Sequence, residues 1–216
     1  MLPPPYTPQE RLYVWRVGYP VLRALALFLM PVRLEGVERI PPGGVILVAN
    51  HISWKDPPWL TFALDRAVRF MGKEELFRVP ILGGVLRLSG NFGVRRGEAD
   101  RRALVTALRV VQAGLPLGFF PEGHRSESGA MIRAHPGVAL VARRAGVPIV
   151  PVGVIGSKRA RIGAFWRRDV LFRIGEPFDP KELPQGDEQA AADEIMRHVA
   201  ALLPSEMRGV YGTPTK

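Results

Sequence analysis

The sequence predicts an α/β fold: a single domain with a mixed, mostly parallel sheet covered by helices, and an N-terminal interfacial membrane helix before it. Short apolar, β-branched runs alternate along the chain with segments of helical periodicity, the pattern of strand–helix–strand units. At 216 residues the chain is long enough for one sizeable core and short for two. Its beginning is apolar and aromatic but broken by arginine and proline. The division expected is therefore a membrane-associating helix over residues 1–30 and one catalytic-sized domain over 31–216, without repeat or linker.

The elements follow in order. Residues 1–8 are proline-rich and extended. A helix is predicted from about Pro8 to Met30. Its longest uncharged stretch, Ala24 to Val32, is far below the roughly 20 residues that a spanning helix needs. Arg16 and Arg23 share one helical face, which suits a helix lying in the membrane interface, arginines at the headgroups and Tyr13, Trp15 and Tyr19 in the aromatic zone. An ordinary helix packed on the domain is the alternative. A cleaved signal peptide lacks its small-residue cleavage pattern.

Val32–Val37 and Gly44–Ala49 read as strands around the turn Pro41-Pro42-Gly43-Gly44. Asp56-Pro57-Pro58 reads as a helix start, with Asp56 at the N-cap and proline in the first turn. Val68–Met71 is a strand, Glu74–Phe77 and Pro80–Leu88 helical pieces, and Asn91–Val94 a strand. Glu98–Ala113 is a helix with Leu104, Leu108 and Val111 inward and Arg101, Arg102 and Arg109 outward, stopped at Gly114. Leu117–Phe120 is a buried strand. Gly137–Ala145 is a helix ended by Gly146, Pro148–Ile155 and Val170–Ile174 are strands, and Glu188–Leu203 is an amphipathic helix.

The composition, 47% hydrophobic and 23% charged, belongs to a folded chain. Cysteine is absent, which excludes disulfides and thiolate chemistry. A formal charge of +10 favours polyanions: nucleic acid, anionic lipid headgroups or phosphorylated substrates. Charge alone does not choose among them.

The chemistry concentrates in two strings. Asn50-His51-Ile52-Ser53-Trp54-Lys55-Asp56 follows an apolar strand, and Phe120-Pro121-Glu122-Gly123-His124-Arg125-Ser126 ends another. His51 at the carboxyl end of a strand stands where α/β active sites gather. Five residues on, Asp56 would lie about 140° around a continuous helix. The pair meets only if His51 is on the turn and Asp56 at the helix entrance. A carboxylate on one imidazole nitrogen fixes the tautomer and supports the charge gained at the other. With no cysteine and no Gly-x-Ser-x-Gly elbow, general-base removal of a substrate hydroxyl proton fits better than a covalent nucleophile. Ser157–Arg168, with cations around Phe165-Trp166, reads as a lipid-facing loop, with a solvated hairpin or a single-strand nucleic-acid platform as alternatives.

His51-x4-Asp56 followed by Phe120-Pro121-Glu122-Gly123-x-Arg125-Ser126 resembles the glycerolipid acyltransferase family, especially the 1-acylglycerol-3-phosphate acyltransferases. Lys73-Glu74-Glu75-Leu76-Phe77 with Val79-Pro80 and Gly83, then Phe92-Gly93-Val94-Arg95-Arg96-Gly97 and Val147-Pro148-Ile149-Val150-Pro151-Val152, resemble further blocks of that family in its order. The resemblance implies His51 as base and Asp56 as its partner. It also implies that Glu122, Gly123 and Arg125 shape the acceptor site, with Lys73, Arg96 and Arg125 holding an acceptor phosphate; Arg95 competes with Arg96 for that role. Arginine suits a phosphomonoester because it binds bidentately. His124 replaces the family's small polar residue, and His135 and His198 read as structural.

The function so implied is transfer of a fatty acyl group from acyl-CoA or acyl-carrier protein to the sn-2 hydroxyl of lysophosphatidic acid, forming phosphatidic acid. Backbone N–H groups would stabilise the oxyanion. No cofactor beyond that co-substrate and no metal is expected. The partners expected are lysophosphatidic acid, the acyl donor and an anionic membrane surface, with no nucleic acid, at the cytoplasmic face of the cell membrane as a peripheral or monotopic protein. Glycerol 3-phosphate or another lysophospholipid is the alternative acceptor. A non-catalytic basic module binding membrane or nucleic acid is the alternative class.

Overall fold

A computed structural model describes residues 18–95, 100–163 and 169–212. Seven strands form one sheet in the order β1-β7-β6-β2-β5-β3-β4, with β1 Val32–Glu35, β2 Ile46–Ala49, β3 Arg69–Lys73, β4 Phe92–Val94, β5 Leu117–Phe119, β6 Ile149–Ile155 and β7 Val170–Ile174. β6, β2, β5, β3 and β4 are mutually parallel; β7 runs antiparallel to β6 and carries β1 parallel beside it. The mixed, mostly parallel sheet is as predicted.

Helices cover both faces: α1 Tyr19–Leu29 and α2 Asp56–Leu64 on one, α4 Arg101–Gln112, α5 Gly137–Ala145 and α6 Glu188–Ala201 on the other. The short α3, Leu82–Leu88, lies between β3 and β4. β2 alternates Ile46 and Val48 into one core with Leu47 and Ala49 into the other, so the central strand is buried throughout. α5 stops at Gly146, whose φ of +60° suits glycine.

Two expectations are corrected here. The buried stripe of α4 is Ala103, Ala107, Val110 and Val111, with Leu104 and Leu108 only partly buried; small residues let the helix lie close to the sheet. In α1, Arg23 does not reach outward to headgroups. Its Nε donates to the Phe62 carbonyl at 2.7 Å and pairs with Asp65 at 3.3 Å, and the Tyr19 hydroxyl donates to the Thr61 carbonyl. α1 is thus packed on α2 through its polar groups, Ala26 and Met30, while Val21, Leu22, Leu25 and Phe28 are exposed. The helical reading over 8–17, with Tyr13, Trp15 and Arg16, lies outside the described residues. Among the described residues no helix is long and apolar enough to cross a membrane.

Candidate active site

Five parallel strands bring their carboxyl ends to one edge, and the segments that leave them carry the candidate chemistry. β2 continues into Asn50, a buried residue whose side chain replaces a rung of the sheet. Its Nδ2 donates to the Val154 carbonyl at 3.0 Å and its Oδ1 accepts the Val154 N–H at 2.7 Å. Held there, the backbone turns out at His51.

The His51 peptide is gripped on both sides. Its N–H donates to Glu122 Oε1 at 2.9 Å, and its carbonyl accepts the Ser126 N–H at 2.8 Å. The ring stacks on Phe120 at 4.3 Å between centroids, and Phe120 stacks on Phe70 at 5.4 Å. Nδ1 meets Asp56 Oδ2 at 2.9 Å. A carboxylate only accepts, so Nδ1 carries the proton and Nε2 is left with its lone pair.

Asp56 was expected to cap its helix. Instead Lys55 is the cap position and no side chain caps α2. The reason is in the sequence: Pro57 and Pro58 have no N–H to satisfy, the Asp56 N–H donates to the Ser53 carbonyl at 3.1 Å, and the Trp59 N–H donates to the Lys55 carbonyl at 3.0 Å. The carboxylate is released to turn back. Oδ2 accepts from Ile52 N–H at 2.9 Å, Ser53 N–H at 2.7 Å and the His51 ring, while Oδ1 accepts the Ser157 hydroxyl at 2.5 Å. Asp56 is 0% exposed, and those four donors offset what a buried carboxylate loses in hydration.

Glu122 was expected among the acceptor-binding groups. Its side chain is 1% exposed, and both oxygens accept backbone N–H groups, from His51 and, at 3.2 Å, from Ile132. It is a bracket beneath the site rather than an open ligand. Burial raises its pKa from 4.5 to about 7, the two N–H bonds oppose that, and the Asp56 charge adds to it. Gly123 has φ +73°, and a Cβ there would lie 2.7 Å from the His135 ring, so glycine alone fits this turn. Ser126 closes the turn, its hydroxyl donating to the Ala130 carbonyl at 2.6 Å and accepting the Gly129 N–H at 3.0 Å.

Arg125 is exposed, one residue from the Ser126–His51 bond, and among the described residues no carboxylate or carbonyl holds its guanidinium. Lys73 stands half exposed at the carboxyl end of β3, paired with Glu75 at 3.3 Å. Arg95, at the end of β4, is engaged by Glu74 and Asp100. Arg96 lies outside the described residues, as do Phe165 and Trp166.

Sequence reasoning missed three contributors. Ser157 and Asn50 act across the ladder between β2 and β6, and strand order is needed to see it. Lys55 is 7% exposed, its Nζ donates to the Ala160 carbonyl, and burial lowers its pKa against the pull of Asp56. With Lys158 Nζ on the Glu127 carbonyl, the described start of the segment after β6 is tied to its neighbours.

An imidazole braced by a buried carboxylate at the carboxyl edge of a doubly covered sheet defines an α/β protein equipped to take a proton from a bound group. The chain belongs to the acyltransferase family, whose model matches residues 31–155. It is 36% identical over 132 residues to a 1-acyl-sn-glycerol-3-phosphate acyltransferase of Chlamydomonas reinhardtii, a match covering 58% of this chain and only 39% of the algal protein. It is 28% identical over 204 residues to the lyso-ornithine lipid O-acyltransferase of Pseudomonas aeruginosa, covering 94% of this chain and 68% of that one. The crystal structure of the 1-acyl-sn-glycerophosphate acyltransferase of Thermotoga maritima superposes with a TM-score of 0.65 and 29% identity, over 84% of this chain and 74% of that one.

Proposed function

We propose that this protein moves a fatty acyl group from the thioester of acyl-CoA or acyl-carrier protein to the sn-2 hydroxyl of lysophosphatidic acid at an anionic membrane surface. The observation that carries the reading is the His51–Asp56 pair, 2.9 Å apart with Nε2 uncommitted. Nε2 takes the proton of the acceptor hydroxyl as its oxygen attacks the thioester carbonyl; the imidazolium faces Asp56, and the thiolate leaves with the proton as collapse completes. The N–H groups of His124 and Arg125, which no other described residue engages, are the donors available to the oxyanion. Arg125 and Lys73, and Arg96 beyond the described residues, are the cations assigned to the acceptor phosphate. α1 supports attachment through Val21, Leu22, Leu25 and Phe28, which it leaves exposed, and the face is that on which the donor is made, the cytoplasmic one.

The match to a lyso-ornithine lipid acyltransferase over most of this chain favours a second reading, in which the acceptor headgroup is zwitterionic rather than a phosphomonoester. Thiol release from acyl-CoA, measured with lysophosphatidic acid, lyso-ornithine lipid and glycerol 3-phosphate, decides between them. The first reading expects lysophosphatidic acid to be used fastest. Thiol release with none of the three overturns both.

A further inference from the structure

The segment between β3 and β4 is amphipathic in the wrong sense for a domain surface. Its 3₁₀ turn, Glu74–Arg78, buries Phe77 and α3 buries Gly83, while Val79, Ile81, Leu82, Val85 and Leu88 are exposed by 45, 87, 42, 54 and 52%. Gly83 is pressed so closely onto Phe77 that a Cβ would lie 2.2 Å from the Phe77 carbonyl oxygen. The helix therefore lies on the protein by its residue without a side chain and turns its aliphatic side chains away. Ile81, at the tip, has φ +64°, a conformation unfavourable for a β-branched residue. Bonds from Gly83 N–H to the Val79 carbonyl and from Val85 N–H to the Ile81 carbonyl, both 2.9 Å, hold it there. An ordered helix with an apolar outer surface marks a contact site.

The topology says which way this ridge faces. Gly72, two residues after Phe70 on β3, points to the same face as that ring, which belongs to the core under α1 and α2, and a Cβ at Gly72 would meet the Phe77 ring at 3.2 Å. The ridge and α1 thus lie on the same face of the sheet, and each exposes its own row of aliphatic side chains. From Lys73 to Arg95 the segment carries four cations, Lys73, Arg78, Arg87 and Arg95, against Glu74 and Glu75, on a chain of net charge +10. A laterally continuous anionic surface meets both rows at once, whereas a groove on a protein partner would have to match two separate elements.

We infer that the α3 ridge is a second lipid-docking element, entering the headgroup region of an anionic bilayer beside α1. Lys73, at the carboxyl edge that holds His51, directly precedes the ridge, so docking there brings the site to the bilayer from which a lysolipid is drawn. This deepens the reading of a membrane-borne acceptor and rests on it, yet its test needs no turnover.

The chain has no cysteine, so Val85→Cys takes a single environment-sensitive fluorophore. With vesicles of equal phosphatidylglycerol and phosphatidylcholine, the label should shift to the blue and its quenching by iodide should fall about threefold or more. A label at Arg144→Cys, exposed on α5 of the opposite face, should do neither. Leu82→Ser with Val85→Ser should lower partition onto these vesicles about tenfold while leaving turnover of a short-chain, water-dispersed acceptor intact. The inference is overturned if the label at 85 stays fully quenchable on vesicle-bound protein, if the protein does not bind the vesicles, or if the label shifts with protein concentration alone, which marks a second copy as the occupant. An inserted ridge on a protein that turns over no acceptor would instead sink the acyl-transfer reading and leave the docking standing.

Discussion

Ser157 donates its hydroxyl to Oδ1 of Asp56, the oxygen that the His51 ring does not use. Both partners are buried, at 1% and 0% exposure, so no water competes for the bond. The hydroxyl draws off charge from the carboxylate and fixes its plane toward the ring. Ser157→Ala should lower kcat about tenfold with KM little changed, a cost of about 1.4 kcal/mol, typical of a hydrogen bond to a charged group. Ser157→Thr, keeping the hydroxyl, should recover most of the rate. A rate in Ser157→Thr no better than that in Ser157→Ala would show the serine to be mere packing.

His51→Ala should reduce turnover by at least about a hundredfold, the contribution of a positioned base. The thermal midpoint should fall by only a few degrees, because the Phe120 stack and one of the four Asp56 donors are lost while the peptide keeps both bonds to the Phe120–Ser126 turn. Steady-state rates and a melt on the same preparation check this; a near-native rate would remove His51 from the chemistry.

Arg125→Ala should raise the acceptor KM by about tenfold to a hundredfold, the range for a charge-assisted bond lost to a phosphate, with a smaller effect on the acyl donor. Arg125→Lys should recover only part, since the bidentate fork is gone. Equal acceptor KM values across wild type and both variants would exclude a phosphate contact.

Glu122 links stability to pH. Its acid form persists in the folded protein up to about 7, against 4.5 for an ordinary glutamate. Between those values the folded state holds a proton that the unfolded state has lost, so the contribution is full at the acid end, falls as pH rises through the window, and is gone above it. The span amounts to about 3 kcal/mol. Urea unfolding across that window should show the slope in wild type and a flatter one in Glu122→Gln; parallel curves would refute the linkage.

Gly118 tests the aromatic column behind the base. A Cβ there would lie 2.1 Å from the Phe70 ring, and Phe70 supports Phe120, which supports His51. Gly118→Ala should cost about 1–3 kcal/mol by overpacking and lower kcat as well. A variant with native stability would mean that Phe70 moves aside freely.

Much of the fold was legible. The helix at Gly137–Ala145 and the strand at Val170–Ile174 have the predicted bounds, because Gly146 stops one and β-branched, apolar residues define the other. The His51–Asp56 contact was legible too, since only a turn followed by a helix entrance lets residues five apart meet. What was misread shares a cause: the partner lay far along the chain. Asp56 resembled a cap because its own helix was in view and Ser157, over a hundred residues on, was not. Arg23 was assigned to headgroups because Phe62 and Asp65 were not yet placed beside it. Glu122 sat in a motif, and a motif does not say that both its oxygens bond to backbone.

The double grip on the His51 peptide, at its N–H by Glu122 and its carbonyl by Ser126, welds the imidazole and the Phe120–Ser126 turn into a single unit. His124 rides on that unit as an exposed side chain with no bond of its own among the described residues. A change of side chain at position 124 therefore alters the outer surface of this turn while the grip on the His51 peptide, and with it the set of the ring against Asp56, stays as it is.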